Sequence, residues 1–233
     1  MQKKGNTLLV ILLIVASFAA GYFFFKTKSL EEGATLGTAQ QNQPQNDTEA
    51  KFKKPTLDEH WNGQKNVRFV WIEYSDLECP FCQRIHPDLT KLLNVYSGEI
   101  AWVLRHFPLP IHPKAQKLAE ATECAADLGG NEDFWGMLNL IFAKMPSLEL
   151  SELPALALQI GLDQTKFSEC LDSGKFEKKV KDQLAEGTNA GVQGTPTNII
   201  YDLKTGTMTN VEGGALPYED LRKALDTFIS QNK

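Results

Sequence analysis

Cys79-Pro80-Phe81-Cys82 follows the apolar run Val67–Tyr74 (VRFVWIEY) and opens a stretch with helical spacing. Far downstream, Gly194-Thr195-Pro196-Thr197 stands just ahead of another strand-like run. Cysteines three positions apart on the first turn of a helix lie close together on one face, so they can close a disulfide across a single turn. The upstream sulfur then sits where unpaired backbone N–H groups and the positive end of the helix dipole point. That setting favours the thiolate and makes Cys79 the better nucleophile. Pro80 suits a first helical position, where its missing N–H is not needed. Cys82, one turn in and less exposed, is the resolving thiol on this reading. The alternative is half of a structural zinc site, which needs two further ligands. The remaining cysteines, Cys124 and Cys170, stand alone, and neither belongs to a second C-x-x-C.

The chain has 233 residues, four cysteines and a formal net charge of −5. That length allows one domain of moderate size or two small ones. Mild acidity without a concentrated basic stripe gives no sign of nucleic-acid binding. Lys3 and Lys4 precede Leu8–Phe25 (LLVILLIVASFAAGYFFF), about the minimum length of a spanning helix. Residues 1–28 therefore read as an N-terminal transmembrane anchor. A cleaved signal peptide is the alternative, with small residues at Ala16, Ser17 and Ala19; against it, the apolar run continues through Phe23-Phe24-Phe25. Lys26 and Lys28 nearly balance Lys3 and Lys4, so charge alone leaves the orientation open. An N-inside topology would put all four cysteines in an oxidising compartment. Residues 29–56 read as a disordered linker: they include Gln40–Asn46 (QQNQPQN), and so polar a stretch buries too little surface to offset its ordering entropy. Asn46-Asp47-Thr48 matches a short glycosylation pattern, and Lys51, Lys53 and Lys54 read as solvated charge in the tether.

From about residue 57 to 233, strand and helix signals alternate. Val67–Tyr74 is apolar on both faces apart from Arg68 and Glu73, as in a central strand. Gln83–Tyr96 has helical spacing at Ile85, Leu89, Leu92 and Leu93, with Pro87 expected to kink it. Ile100–Phe107 is a second strand, closed by Pro108, Pro110 and Pro113. Helices are expected over Lys114–Leu128, Glu132–Met145, Glu149–Gly161, Gln164–Leu171 and Phe176–Ala190. Thr197–Tyr201 and Thr207–Val211 then read as strands, and Pro217–Ser230 as a closing helix. The order β-α-β, helices, β-β-α predicts an α/β sheet with a helical insertion, its first two strands parallel.

The cysteine pair, Pro87 five residues after it, the helical block, Gly194-Thr195-Pro196-Thr197 and the closing β-β-α together resemble the DsbA-like thiol:disulfide oxidoreductases. The resemblance covers residues 57–233 and not the anchor or linker. It implies a thioredoxin fold with an inserted all-helical domain at about 112–190. It also implies a cis Pro196 set against the redox pair, with backbone groups near Thr195 free to pair with an extended substrate. Without it, Pro196 simply blocks pairing at a strand's first residue. Pro80, Phe81, Thr195 and Pro196 become the substrate-binding residues. Glu73, six residues before Cys79, falls where the family carries a buried acid able to relay a proton to or from the resolving thiol; otherwise it is a solvent-facing glutamate at a strand edge.

Cys124 and Cys170 lie on different helices of the insertion. In an oxidising compartment they are expected to form a structural disulfide, with buried free thiols or a second redox relay as alternatives. His86, seven residues after Cys79, falls near the same helix face, where a cation would favour the thiolate; a solvated surface histidine is the plain alternative. His60, His106 and His112 have no ligand spacing. Trp71, Trp102, Trp135 and Phe142 read as core, and Trp61 as a residue packed over the domain ahead of the first strand.

The expected protein is a thiol:disulfide interchange enzyme tethered to the membrane and acting in the periplasm or other extracytoplasmic space. It is expected to oxidise cysteine-containing exported proteins through a Cys79–Cys82 disulfide. It needs no cofactor and no metal, acts as a monomer without nucleic acid, and requires a membrane redox partner. The alternatives are an isomerase or reductase of the same fold, or a non-catalytic membrane-anchored binding domain.

Overall fold

The structure, a computed structural model, describes residues 52–233. The expected anchor and nearly all of the expected linker lie outside the described residues. Among those described, no helix is long and apolar enough to cross a membrane. The strand of the opening apolar run is Phe69–Ser75 (β2), and all seven of its residues are buried. Burial on both faces requires a strand on each edge and helices over each face. One edge pairs in parallel with Ile100–His106 (β3) and the other antiparallel with Thr197–Asp202 (β4). Trp61–Asn62 (β1) and Met208–Val211 (β5) extend the sheet to the order β1-β3-β2-β4-β5.

Alternation along β2 sends successive side chains to opposite faces. Phe69 and Trp71 join the core beneath Pro80–Val95 (α1) and the closing helix Tyr218–Gln231 (α7), with Ile85, Leu89, Leu92, Leu221 and Phe228. Val70, Ile72 and Tyr74 join a second core on the other face, with Val103, Phe107 and Val192. Glu73 follows Trp71 on the α1 face, which places a carboxyl behind the redox helix.

Between β3 and β4 run Ala115–Gly129 (α2), Asn131–Lys144 (α3), Leu153–Gln159 (α4), Gln164–Asp172 (α5) and Glu177–Asn189 (α6). A disulfide between Cys124 and Cys170 ties α2 to α5 across 46 residues. On α6, a Cβ at Gly187 would come within 2.8 Å of the Phe107 ring and 2.9 Å of Tyr74, so the helix can lie this close to the sheet only without a side chain there.

Several expectations are corrected. The packed chain begins by Phe52, before the expected linker end at residue 56: Phe52 packs on Tyr201, the Lys53 carbonyl accepts from Arg105 and the Thr56 carbonyl from the Trp61 indole. Trp61 is itself in a strand, paired with Val103; two residues are too few to show a period. The helix expected over Glu149–Gly161 is a 3-10 turn at Leu150–Glu152 followed by α4, because Pro154 cannot donate to the preceding turn. α1 runs unbroken through Pro87.

Candidate active site

Cys79 is the N-cap of α1, with Pro80 opening the helix, and no side chain caps the helix. The Cys79 carbonyl accepts from the Gln83 N–H (3.1 Å), and its own N–H donates to the Asp76 carbonyl (3.1 Å). Both sulfurs are free thiols, and both are buried. The Thr195–Pro196 bond is cis, and the Cys79 thiol reaches the Thr195 carbonyl oxygen at 3.6 Å. Pro196 is buried, whereas Pro80 and Phe81 are exposed beside the sulfur. The Phe81 ring is 52 % exposed and lies 5.0 Å from the Arg84 guanidinium. A groove is lined by the strand-leading segment Gly191–Thr197, which includes the Thr195–Pro196 pair, and by Asn210–Gly214.

The two thiols are driven apart. A hydrogen bond from Cys82 is the largest influence lowering Cys79; burial opposes it, and the N–H groups of Cys82 and Phe81 and a contact with Thr195 add to it, leaving Cys79 at about 5. The Thr195 hydroxyl is buried without a hydrogen-bond partner. Cys82 is pushed well up, first by burial and then by the Cys79 sulfur and the Glu73 carboxyl. Cys79 is therefore the thiolate at neutral pH and Cys82 the thiol that holds a proton for it.

Glu73 is fully buried, opposite Leu104 in β3 and Asn198 in β4, not at a solvent-facing edge. Burial raises its pKa to about 7, against smaller lowering by the nearby Ser75 and Trp102 and further raising by Cys79. No hydrogen bond of normal geometry reaches either carboxyl oxygen. A carboxylic acid poised near neutrality behind the resolving thiol can give or take the proton that thiol exchanges.

His86 does not supply a cation. Its ring packs between Trp102 and Phe142, its Nε2 meets Asn139 Oδ1 at 2.7 Å, and burial lowers its pKa. Cys124 and Cys170, joined to each other, are not available to complete a zinc site with the C-x-x-C pair. The histidine tied to the active-site turn is one without any telling spacing in the sequence: His112, on the loop after β3, contacts the Asp76 carboxylate at 2.7 Å. Asp76 stands in the turn before Cys79, but the pair is separated by 36 residues, and no spacing rule links them. His60 and His106 gather on the buried Glu123 with Lys179, in a polar cluster away from the redox pair.

A thioredoxin family model matches residues 55–227. Among solved structures, Pseudomonas aeruginosa DsbA2 is 28 % identical with a TM-score of 0.63, covering 76 % of this chain and 97 % of that one. Wolbachia pipientis alpha-DsbA1 is 21 % identical with a TM-score of 0.68, covering 79 % and 96 %. Oxidised BdbD from Bacillus subtilis is 20 % identical with a TM-score of 0.62, covering 72 % and 91 %. Among curated relatives, the Na(+)/H(+) antiporter NhaA 3 of Salinispora tropica is 32 % identical over 155 residues, 66 % of this chain and 23 % of that protein. The Na(+)/H(+) antiporter NhaA of Herminiimonas arsenicoxydans is 31 % identical over 161 residues, 66 % of this chain and 25 % of that protein. The chain thus spans about a quarter of the length of these relatives.

Proposed function

The chain belongs to the thioredoxin family, in its DsbA-like form, and from that premise we propose that it is a disulfide donor that oxidises cysteines of exported proteins. The observation that carries this reading is the unequal pair of buried sulfurs, Cys79 held at about 5 and Cys82 pushed up. Surroundings that stabilise a thiolate stabilise the reduced protein, and a stabilised reduced form makes the disulfide a stronger oxidant.

The exchange runs in two steps. A substrate thiolate attacks Cys79 in the Cys79–Cys82 disulfide, forming a mixed disulfide, and Cys82 leaves and takes a proton. The protonated Glu73 behind it is the nearby acid for that transfer. A second substrate thiolate then attacks the substrate sulfur of the mixed disulfide, and Cys79 leaves as a thiolate. The substrate gains a disulfide, and two electrons pass to the protein pair. The acidity of Cys79 makes it a good leaving group in the second step. The groove over Thr195 and Pro196 offers main-chain groups to an extended substrate segment.

Two features support work on the extracytoplasmic side of a membrane as a tethered domain: the apolar run Leu8–Phe25 and the Cys124–Cys170 disulfide, of a kind that persists in oxidising compartments. Turnover needs an acceptor for the two electrons, and a membrane redox partner suits a tethered domain. The test is the reduction potential of Cys79–Cys82 in the full chain, equilibrated with glutathione buffers. A couple more oxidising than glutathione is expected. A more reducing couple would assign a reductase or isomerase instead, and the absence of any reversible couple would remove the exchange reading.

A further inference from the structure

One carboxylate ties the active-site turn to the loop that follows β3. Asp76, whose side chain is fully buried, accepts on Oδ1 from the Glu78 N–H (2.8 Å). On Oδ2 it accepts from the Leu109 N–H (2.8 Å) and from His112 Nδ1 (2.7 Å). The His112 N–H donates in turn to the Leu109 carbonyl at 3.0 Å, so the loop closes on itself while hanging from Asp76. The main chain of Asp76 meanwhile holds the redox pair: its carbonyl accepts from the Cys79 N–H at 3.1 Å and its N–H meets Cys82 Sγ at 3.5 Å. Glu78 adds a second bridge by accepting from the Lys114 N–H at 2.6 Å. The loop could hang from Asp76 and Glu78 through main-chain donors alone. The imidazole adds something those donors cannot, a proton that comes and goes.

We propose that His112, fixed by Asp76, is a positioning residue that sets how readily Cys79 ionises, its imidazolium favouring the thiolate and its neutral ring withdrawing that support. The ring keeps 18 % of its side-chain surface in solvent, so it can exchange its proton in the folded state. The charged groups facing it are Asp76, Cys79 and Glu78, all on the active-site turn, and together they outweigh partial burial and raise its pKa. Lys114, two residues on, turns its ammonium away to the Leu148 carbonyl and Glu149. Coupling between two titrating groups is mutual: a Cys79 thiolate that raises His112 is itself favoured by a charged His112. The support is present below the His112 titration and fades as pH rises through it. The consequence for oxidising power rests on the exchange reading above, but the ionisation of Cys79 can be measured with no protein substrate.

The experiment follows the rate at which iodoacetamide alkylates Cys79 as a function of pH, in the full chain reduced mildly enough to leave Cys124–Cys170 closed. His112→Gln is expected to cut the rate at about pH 5 roughly fivefold, the effect of a neighbouring charge partly screened by solvent, and to converge with the unsubstituted protein at alkaline pH. His112→Lys, which restores a cation, is expected to recover the acidic limb. Superimposable profiles for the Gln variant and the unsubstituted protein, at matching melting temperatures, would overturn the proposal. A measurement on the unsubstituted chain covers a Gln variant that fails to fold. The His112 imidazole, followed by NMR, should titrate at higher pH in the reduced protein than with Cys79–Cys82 oxidised, and equal titration in both forms would also overturn it. Failure to oxidise any protein would sink the proposed function and leave both readouts standing.

Discussion

A charge on Glu73 opposes a charge on Cys82: the carboxyl is buried behind α1 and the thiol on its inner face, and the carboxyl is one of the influences that keep the resolving thiol protonated. The same burial makes Glu73 costly to ionise. Its pKa stands at about 7 in the folded protein, against 4.5 for an ordinary glutamate. A carboxyl shifted upward in this way favours the folded state while it is protonated. Stability is undiminished below the unfolded value, declines as pH rises between the two, and settles up to about 3 kcal/mol lower above the folded value. Glu73→Gln should therefore stabilise the protein at about pH 8 and leave it nearly unchanged at about pH 4. It should also slow formation of the mixed disulfide, the step in which Cys82 leaves and takes a proton, and erase any inflection near neutrality. Chemical denaturation at the two pH values checks the first effect and rapid-mixing exchange kinetics the second. Equal stability at pH 8 would mean that the buried carboxyl carries no ionisation cost.

The largest influence lowering Cys79 is the hydrogen bond from Cys82. Cys82→Ala should then do two things at once. It should raise the pKa of Cys79 from about 5 toward the ordinary thiol range, because the helix N–H groups remain but the thiol donor is gone. It should also remove the thiol that attacks Cys79 and displaces a bound partner, so mixed disulfides accumulate. Thiolate absorbance against pH reads the first outcome and non-reducing electrophoresis the second. An unchanged Cys79 titration would show that the backbone donors of α1 suffice alone.

How much of this site was legible in the sequence depended on how local each signal is. The redox pair could be read because its chemistry fits within four residues: two sulfurs one turn apart, a proline at the first helical position and an apolar strand just before. Glu73 stood out because a lone acid within an apolar run must either reach solvent at an edge or stay buried for a chemical purpose. His86 misled, since helical spacing placed it near Cys79 but gave no sign that Trp102 and Phe142 would close over its ring and keep it neutral. The Asp76–His112 contact was illegible for the opposite reason. It joins a turn to a loop brought beside it by the parallel pairing of β2 and β3, and neither residue sits in a periodic segment. Trp61–Asn62 was missed as a strand because two residues carry no alternation. The order of strands and helices survived these gaps because burial patterns extend over whole elements.

The disulfide between Cys124 and Cys170 closes a loop of 46 residues. Closing a loop of that size restricts the unfolded chain enough to stabilise the folded state by up to about 4 kcal/mol. Both cysteines lie in the core shared by α2, α3 and α5, so replacing them also removes packing. Cys124→Ala/Cys170→Ala should therefore lower the denaturation midpoint markedly without moving the Cys79–Cys82 potential. Urea titrations of the variant and the unsubstituted protein under oxidising conditions make the comparison. A shift in the potential would instead tie this disulfide to the redox reaction, as a relay.

Opening and closing the redox pair should change how the stability of the protein depends on pH. In the open form Cys79 has a pKa of about 5, against an ordinary thiol value of 9.0. A thiol lowered in the folded state adds stability that is complete above the unfolded value, shrinks as pH falls, and is gone below the folded value. The closed form has no thiol to titrate and no such gain. Its disulfide restricts the unfolded chain through a very short loop, a contribution of about 2 kcal/mol that does not vary with pH. The Glu73 cost is present in both forms and largely cancels. Between about pH 5 and pH 9 the open form should therefore gain stability over the closed form steadily. Melting temperatures of the two forms, with Cys124–Cys170 intact in each, should diverge across that range. A gap that stays constant with pH would mean that the acidity of Cys79 is not built into the folded state, and the basis for reading this pair as a disulfide donor would go with it.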